Sequence, residues 1–187
     1  GLACLALDDA ERLMDWADVT GAMSFEALRG QLVAFDAEIL ALKASPGIQT
    51  SGQRLRELLA DSPLLAESQG LRTQDALSLR SMPQVHGACR DRFSHAQTQI
   101  NIELNACTDN PLILGTVEQW RVVSQAHPHG ESVAMACDLL AIAMAELGAI
   151  AERRLDRLVN PLVSGLPAFL VARPGVNSGM MIAQYVA

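Results

Sequence analysis

The sequence predicts an all-α protein built as a bundle of long helices. Half of its 187 residues are hydrophobic but only 4% are aromatic, so aliphatic side chains and methionine must fill the core. Alanine, leucine and methionine, which are abundant, are strong helix formers. Long stretches also place apolar residues at steps of three and four, the period of a helix with one buried face. The length is sufficient for a single helical domain over residues 1–187.

Several shorter helices are predicted in the first third of the chain. Residues 2–22 form the first, and Ser24 is predicted as the N-cap of a second that runs through residue 32. Two further short helices are expected over residues 36–43 and 51–59, separated by Ser45-Pro46-Gly47. The predicted core stripe of the first helix is Leu5, Leu13, Trp16 and Met23, with Asp9 as an exception.

Two long helices dominate the rest of the chain. Residues 70–84 are polar and irregular, which predicts an ordered loop before a helix over residues 85–107. A small hairpin is expected over residues 112–123, and a short last helix over residues 177–187. The strongest helix covers residues 131–159 and is small or apolar nearly all round, so other helices must enclose it.

Charge and cysteine usage exclude several classes of protein. The net charge is −7 with a pI of about 5.0 and no basic stripe, which argues against a nucleic-acid partner. No continuous apolar run of membrane-spanning length is found, so no membrane contact is expected. The four cysteines form no Cys-x-x-Cys pair, which favours a reduced, cytoplasmic setting.

Arg80 is the first candidate binding residue. It lies in the predicted loop that leads into the helix over residues 85–107. A guanidinium beside a helix N-terminus is suited to holding a carboxylate, through paired hydrogen bonds and the helix dipole. The alternative is an ion pair with a structural acid such as Asp75, which composition alone favours.

His127-Pro128-His129-Gly130-Glu131 is the second candidate segment. Two histidines followed by a glutamate have the side chains of a metal site, but no third ligand is evident in the sequence. Entry into the helix over residues 131–159 is the simpler interpretation, and we predict no metal.

Ordered motifs across the chain resemble the histidine ammonia-lyase family. They are Gln74-Asp75…Ser78-Leu79-Arg80…Pro83-Gln84-Val85-His86-Gly87-Ala88, Glu103-Leu104-Asn105-Ala106…Thr108-Asp109-Asn110-Pro111-Leu112-Ile113, Glu152-Arg153-Arg154…Arg157-Leu158-Val159-Asn160-Pro161 and Gly175…Asn177-Ser178-Gly179…Met181-Ile182. The resemblance implies a mostly helical homotetramer around a central bundle, of which this chain would be the central section. It also implies a small amino acid substrate, with histidine giving urocanate and ammonia.

The resemblance further implies a cofactor and site residues. In the family, an internal Ala-Ser-Gly cyclises into a methylidene-imidazolone, and the active sites are shared among subunits. Matched by position, Arg80 would hold the substrate carboxylate and Gln74 would line the pocket. Leu77, His127, Pro128 and His129 are further pocket-lining candidates.

The chain departs from the family pattern at positions that matter for catalysis. The family's catalytic tyrosine is Leu77 here, its pocket asparagine is His127 and its pocket phenylalanine is Pro128. The chain contains no Ala-Ser-Gly, and Thr50-Ser51-Gly52 lies in the wrong part of the alignment. We therefore expect no catalytic residue, no cofactor and no activity in this chain alone. The alternative is a non-catalytic assembly or ligand-binding module derived from a lyase that lost its tyrosine.

Overall fold

The computed structural model describes residues 1–187 and confirms the all-α class. Its helices and strands, in chain order, are α1 Leu2–Ala27, α2 Ala37–Ala41, α3 Pro46–Leu58, α4 Pro63–Ala66, α5 Leu77–Arg80, α6 Met82–Leu104, β1 Leu112–Gly115, β2 Trp120–Val123, α7 Glu131–Val159, α8 Pro161–Ser164 and α9 Met181–Val186. Short 3-10 turns cover Leu32–Phe35 and Ala168–Leu170.

The three long helices α1, α6 and α7 pack on one another, and α3 packs on α6. One core cluster fills the space between the three long helices, with Met14, Phe93 and Leu140 among its members. A second cluster lies where α1 ends, and it includes Leu79 at the end of α5 and Met82 at the start of α6. The connection between α5 and α6 is therefore anchored on the core.

Short helices begin at side-chain caps that the sequence supplies. Asp36 accepts hydrogen bonds from the backbone N–H groups of Glu38 and Ile39 at the start of α2. Ser45 accepts one from Ile48 at the start of α3, where Pro46 is the first helical residue. Ser45-Pro46-Gly47 thus separates two helices as predicted. The second helix begins at Pro46, five residues earlier than the predicted start at residue 51.

The predicted helix start at Ser24 is wrong. Helix α1 continues to Ala27, and the Ser24 hydroxyl donates to the carbonyl of Thr20, 2.8 Å away, inside the helix. A serine can satisfy its hydroxyl in this way without ending a helix. The continued turn buries Phe25 completely, so the helix gains core contacts by extending. No second helix follows, and only a 3-10 turn forms at residues 32–35.

The predicted buried face of α1 is also wrong. Its stripe faces outward, with exposed fractions of 64% for Leu5, 50% for Leu13, 64% for Trp16 and 65% for Met23. The buried face of α1 combines four small residues and one charge with three larger apolar side chains: Leu7, Ala10, Met14, Ala17, Asp18, Gly21, Ala22 and Phe25. Ala10, Ala17, Gly21 and Ala22 on this face allow the neighbouring helices to approach closely.

The remaining elements follow the predictions closely, with shifted ends. Helix α7 has the predicted bounds, and the hairpin pairs Leu112 with Val123. Helix α6 begins three residues early, because Pro83 is accepted in its first turn. The predicted loop over residues 70–84 also contains the single helical turn α5.

Helix α7 is long and apolar enough to cross a membrane by length and composition alone, with a mean hydropathy of 1.9 over 18 residues. This corrects the prediction that no segment of the chain qualifies. One such helix is weak evidence for a span, because core helices of soluble proteins have the same composition.

Candidate functional site

Arg80 lies at the connection between α5 and α6, held by buried neighbours on both sides. Leu79 is 2% exposed and Met82 is 0% exposed. The Arg80 side chain is half-buried, and its Nε atom is fully buried without a hydrogen-bond partner. A buried donor without a partner costs free energy, so an acceptor supplied at this atom would be favourable.

Asp75 is occupied by other groups. Its carboxylate accepts from the backbone N–H of Gln31 at 2.6 Å and is paired with the Arg72 guanidinium at 2.7 Å. It forms no ion pair with Arg80, so that alternative interpretation of Arg80 is wrong. The Gln31 side chain adds hydrogen bonds to Arg72 O and Gly70 N, so the loop before α5 is ordered, as predicted.

Leu77 and Gln74, the other two residues assigned to the substrate site, precede Arg80 by three and six residues. Leu77 is three residues before Arg80 in α5, so the two share one face of the turn. Leu77 is 66% exposed and Gln74 is exposed. A leucine has no ionisable group and cannot transfer a proton.

The segment His127-Pro128-His129-Gly130 forms an exposed turn directly before α7. The His127 Nδ1 atom lies 3.3 Å from the carbonyl oxygen of Cys107. Nowhere in the chain are three His, Cys, Asp or Glu side chains grouped so that they could hold a metal ion. Helix entry remains the interpretation that fits this segment.

Within one chain, the two groups of candidate residues lie far apart. Leu79 of α5 shares a core cluster with Ile150, whereas His127 and His129 precede the first residue of α7. Twenty helical residues separate Gly130 from Ile150, which corresponds to about 30 Å. A single pocket that uses both groups therefore requires more than one copy of the chain.

A buried polar network, absent from the sequence predictions, lies behind the α5–α6 connection. Asp18 of α1 is completely buried, and its Oδ1 lies 2.7 Å from Nδ1 of His86. Its Oδ2 accepts from Arg90 at 2.6 Å. On the other side of the imidazole, the Arg154 guanidinium lies 3.5 Å from Nε2 of His86. The sequence signal for this network is Asp18, a charged residue on the same face of α1 as Ala17, Gly21 and Ala22.

Burial and the neighbouring charges shift the protonation of this network. Burial lowers the pKa of His86, and the Arg154 charge lowers it further, which together outweigh the bond from Asp18. Burial raises the pKa of Asp18, but hydrogen bonds from His86 and Arg90 outweigh this and leave it lowered. Burial lowers the pKa of Arg154 to about 10. Neutral His86 therefore donates from Nδ1 to an ionised Asp18 and presents a bare Nε2 to Arg154.

The sequence profile of the aromatic amino acid lyases matches residues 1–187. The chain belongs to the aromatic amino acid lyase family. It is 45% identical over 186 residues to histidine ammonia-lyase from Alkaliphilus metalliredigens, covering all of this chain and 36% of that protein. The chain therefore spans about a third of that relative's length.

Solved structures of this lyase family share the fold. Histidine ammonia-lyase from Trypanosoma cruzi superposes with a TM-score of 0.85 at 42% identity, over 98% of this chain and 34% of that one. Tyrosine aminomutase from Streptomyces globisporus superposes with a TM-score of 0.88 at 33% identity, over 99% of this chain and 39% of that one. The predicted helical fold of the lyase family is confirmed.

The residues of this lyase chain do not fit the self-formed cofactor. Thr50-Ser51-Gly52 lies inside helix α3, and Ser51 is completely buried with its hydroxyl accepting from Nε of Arg90 at 3.2 Å. Cyclisation would join the nitrogen of the third residue to the carbonyl carbon of the first, and regular helical backbone holds these atoms apart. Ser51 thus has a structural role in packing α3 against α6.

Acid is expected to destabilise this lyase chain through the buried network. Because the pKa of folded His86 is below its usual 6.5, only the unfolded chain takes up this proton as the pH falls below 6.5, so stability is lost. The lowered pKa of Asp18 removes further stability below pH 3.8.

The measurement is the urea unfolding midpoint from pH 7 to pH 4. His86→Gln should flatten the upper part of the curve, whereas His95→Gln, at an exposed position on α6, should not. A midpoint that stays constant between pH 7 and pH 5 would contradict this prediction.

Proposed function

We propose that this chain is the helical middle section of an ammonia-lyase of the histidine type, which eliminates ammonia from L-histidine to give urocanate. The observation that carries the proposal is the buried Nε of Arg80, which has no partner within the chain. The 45% identity to a histidine ammonia-lyase supports the substrate assignment. In the longer protein, the methylidene-imidazolone would come from an Ala-Ser-Gly outside these residues.

Arg80 would bind the carboxylate of the amino acid substrate. Its guanidinium can donate two parallel hydrogen bonds to a carboxylate, and α6 begins two residues later with its N-terminal dipole. Gln74 is exposed in the loop before α5 and would contact the substrate from there. Leu77 would line the pocket without taking part in proton transfer.

The chain would act as a homo-oligomer, with each site shared between copies. Two observations support this. The Arg80 region and the His127–Gly130 turn lie about 30 Å apart in one chain, and the outward stripe of α1 leaves Trp16 and Leu13 largely exposed. Apolar stripes of this kind are normally covered by another chain. We propose that residues 1–187 form one helical domain of a cytoplasmic protein that binds neither nucleic acid nor membrane.

The chain alone is expected to be inactive, since it supplies neither the cofactor nor the tyrosine. The test is the absorbance of urocanate after incubation with histidine, with an authentic histidine ammonia-lyase as positive control. Urocanate formation by this chain alone would overturn the expectation.

A second function, a non-catalytic module that keeps the carboxylate site, is favoured by Leu77 at the position of the family's tyrosine. The two functions differ in the longer protein. If that protein releases urocanate from histidine, the lyase is supported. If it binds the amino acid but releases no product, the module is supported.

Replacement of Arg80 by glutamine is expected to weaken carboxylate binding about 30-fold to 150-fold, because a charged hydrogen-bond pair contributes about 2–3 kcal/mol. Calorimetric titration with histidine and urocanate measures the effect. Arg92→Gln is the matched control, since Arg92 is exposed on α6. Equal affinities for wild type and Arg80→Gln would contradict the proposed role.

A further inference from the structure

The buried network ties together the three long helices at one level of the bundle. Asp18 belongs to α1, His86 to α6 and Arg154 to α7. Their exposed fractions are 0%, 1% and 2%. Polar groups this deeply buried must have partners, and any rearrangement that separates the three helices would leave at least one of them without a partner.

His86 is the central member, because each of its ring nitrogens faces a different helix. Nδ1 lies 2.7 Å from Asp18, whose second oxygen is bound by Arg90 at 2.6 Å with Arg54 at 3.3 Å. Nε2 lies 3.5 Å from Arg154. Arg154 has no carboxylate within ion-pair distance, so the imidazole is its one side-chain partner. The position of this buried cation therefore depends on His86.

His86 and Arg154 also lie next to Met82, the first residue of α6, at the surface of α1 around Gly21. A Cβ atom placed on Gly21 of α1 would lie 2.8 Å from Sδ of Met82, 3.5 Å from Cε1 of His86 and 3.9 Å from Cζ of Arg154. The three side chains thus meet at one spot on α1. Met82 is completely buried and follows Arg80 by two residues. The packing of Met82 against α1 therefore fixes the position of the backbone next to Arg80.

We propose that His86 and Arg154 are positioning residues for Arg80. By packing around Met82, they hold the α5–α6 connection so that the Arg80 guanidinium is oriented toward a carboxylate. Asp18 keeps His86 in the tautomer with the proton on Nδ1, which leaves Nε2 free to face Arg154. The inference rests on the proposed function in one respect, namely that Arg80 binds a carboxylate. Neither His86 nor Arg154 contacts the substrate in this arrangement.

The test compares His86→Ala, His86→Asn and Arg154→Met with the wild-type chain. The first readout is the hydrogen-exchange rate of the Arg80 Nε–H by nuclear magnetic resonance, which needs no ligand. The second is the affinity for urocanate by calorimetry. His86→Asn retains a donor toward Asp18 and should restore much of what His86→Ala loses. The matched controls are His95→Ala and Arg92→Met, both exposed on α6.

We expect His86→Ala and Arg154→Met to raise the Arg80 exchange rate and to weaken urocanate binding, each about tenfold, while the controls change neither. Folding of each variant is checked by circular dichroism; if His86→Ala fails to fold, Arg154→Met decides. Unchanged Arg80 exchange in the folded His86→Ala and Arg154→Met variants would overturn the positioning role and leave the proposed function standing. If the wild-type chain binds no urocanate, the proposed function fails, and the exchange rates still decide the positioning role.

Discussion

Replacing Gly87 by alanine is expected to lower the free energy of unfolding by about 3 kcal/mol, the upper end of what overpacking costs. Gly87 of α6 lies against α3, and a Cβ there would be 2.4 Å from the backbone nitrogen of Ile48 and 2.5 Å from its Cα. The obstructing atoms are backbone, so no side chain can rotate away and the helices must separate. Gly47, on the facing helix, has the reciprocal clash with the carbonyl of Gly87 at 2.0 Å.

Thermal unfolding followed by circular dichroism measures this, and the expected decrease in Tm is about 10 °C for a chain of this size. Gly148→Ala is the matched control, because Gly148 also lies inside a helix but has no atom within 4 Å of a Cβ. There, alanine should stabilise the chain by up to about 1 kcal/mol through helix propensity. A Gly87→Ala chain with the wild-type Tm would show that α3 and α6 do not cross this closely.

Replacing Asp18 by asparagine is expected to cost about 3–5 kcal/mol, because it removes the one fully buried anion that faces several cations. The Arg90 ion pair of 2.6 Å would lose its anion, and the asparagine amide would keep one oxygen acceptor while turning an N–H donor toward either Arg90 or His86. Arg154 would then be buried without a compensating charge nearby. Urea denaturation at pH 7 measures the change.

Asp15→Asn is the control for Asp18. Asp15 pairs with Arg90 at 3.0 Å and Arg54 at 3.1 Å, but its side chain is 46% exposed. Water screens such a pair, so a change below about 1 kcal/mol is expected. If both substitutions cost the same, burial of the Asp18 network would contribute nothing to stability.

Local sequence determined much of this fold. The bounds of α7 follow from an apolar pattern that runs between a glycine and Asn160-Pro161. The capped starts at Asp36 and Ser45 follow from side chains that bond their own backbone. In each case the partners are close in the chain, so spacing alone identifies them.

The candidate site was predicted in part. Arg80 was identified from its place before a long helix and from the family's motif. That it lacks a partner was not predictable, because Asp75 lies five residues away and only the folded loop pairs it with Arg72 and Gln31 instead. The separation of Arg80 from His127 likewise depends on how α5 packs along α7.

The sequence by itself thus determined the helical class, most of the helix positions and the family, since these depend on periodicity and on motifs that are continuous in the chain. Only the tertiary structure decided which face of α1 is buried. A periodic pattern shows that a helix has two faces, but the close approach of α6 and α7 selects the one with Ala17 and Gly21. That choice also brings Asp18, His86 and Arg154 together from three separate helices, because distant residues meet only once packing has fixed the distance between the helix axes.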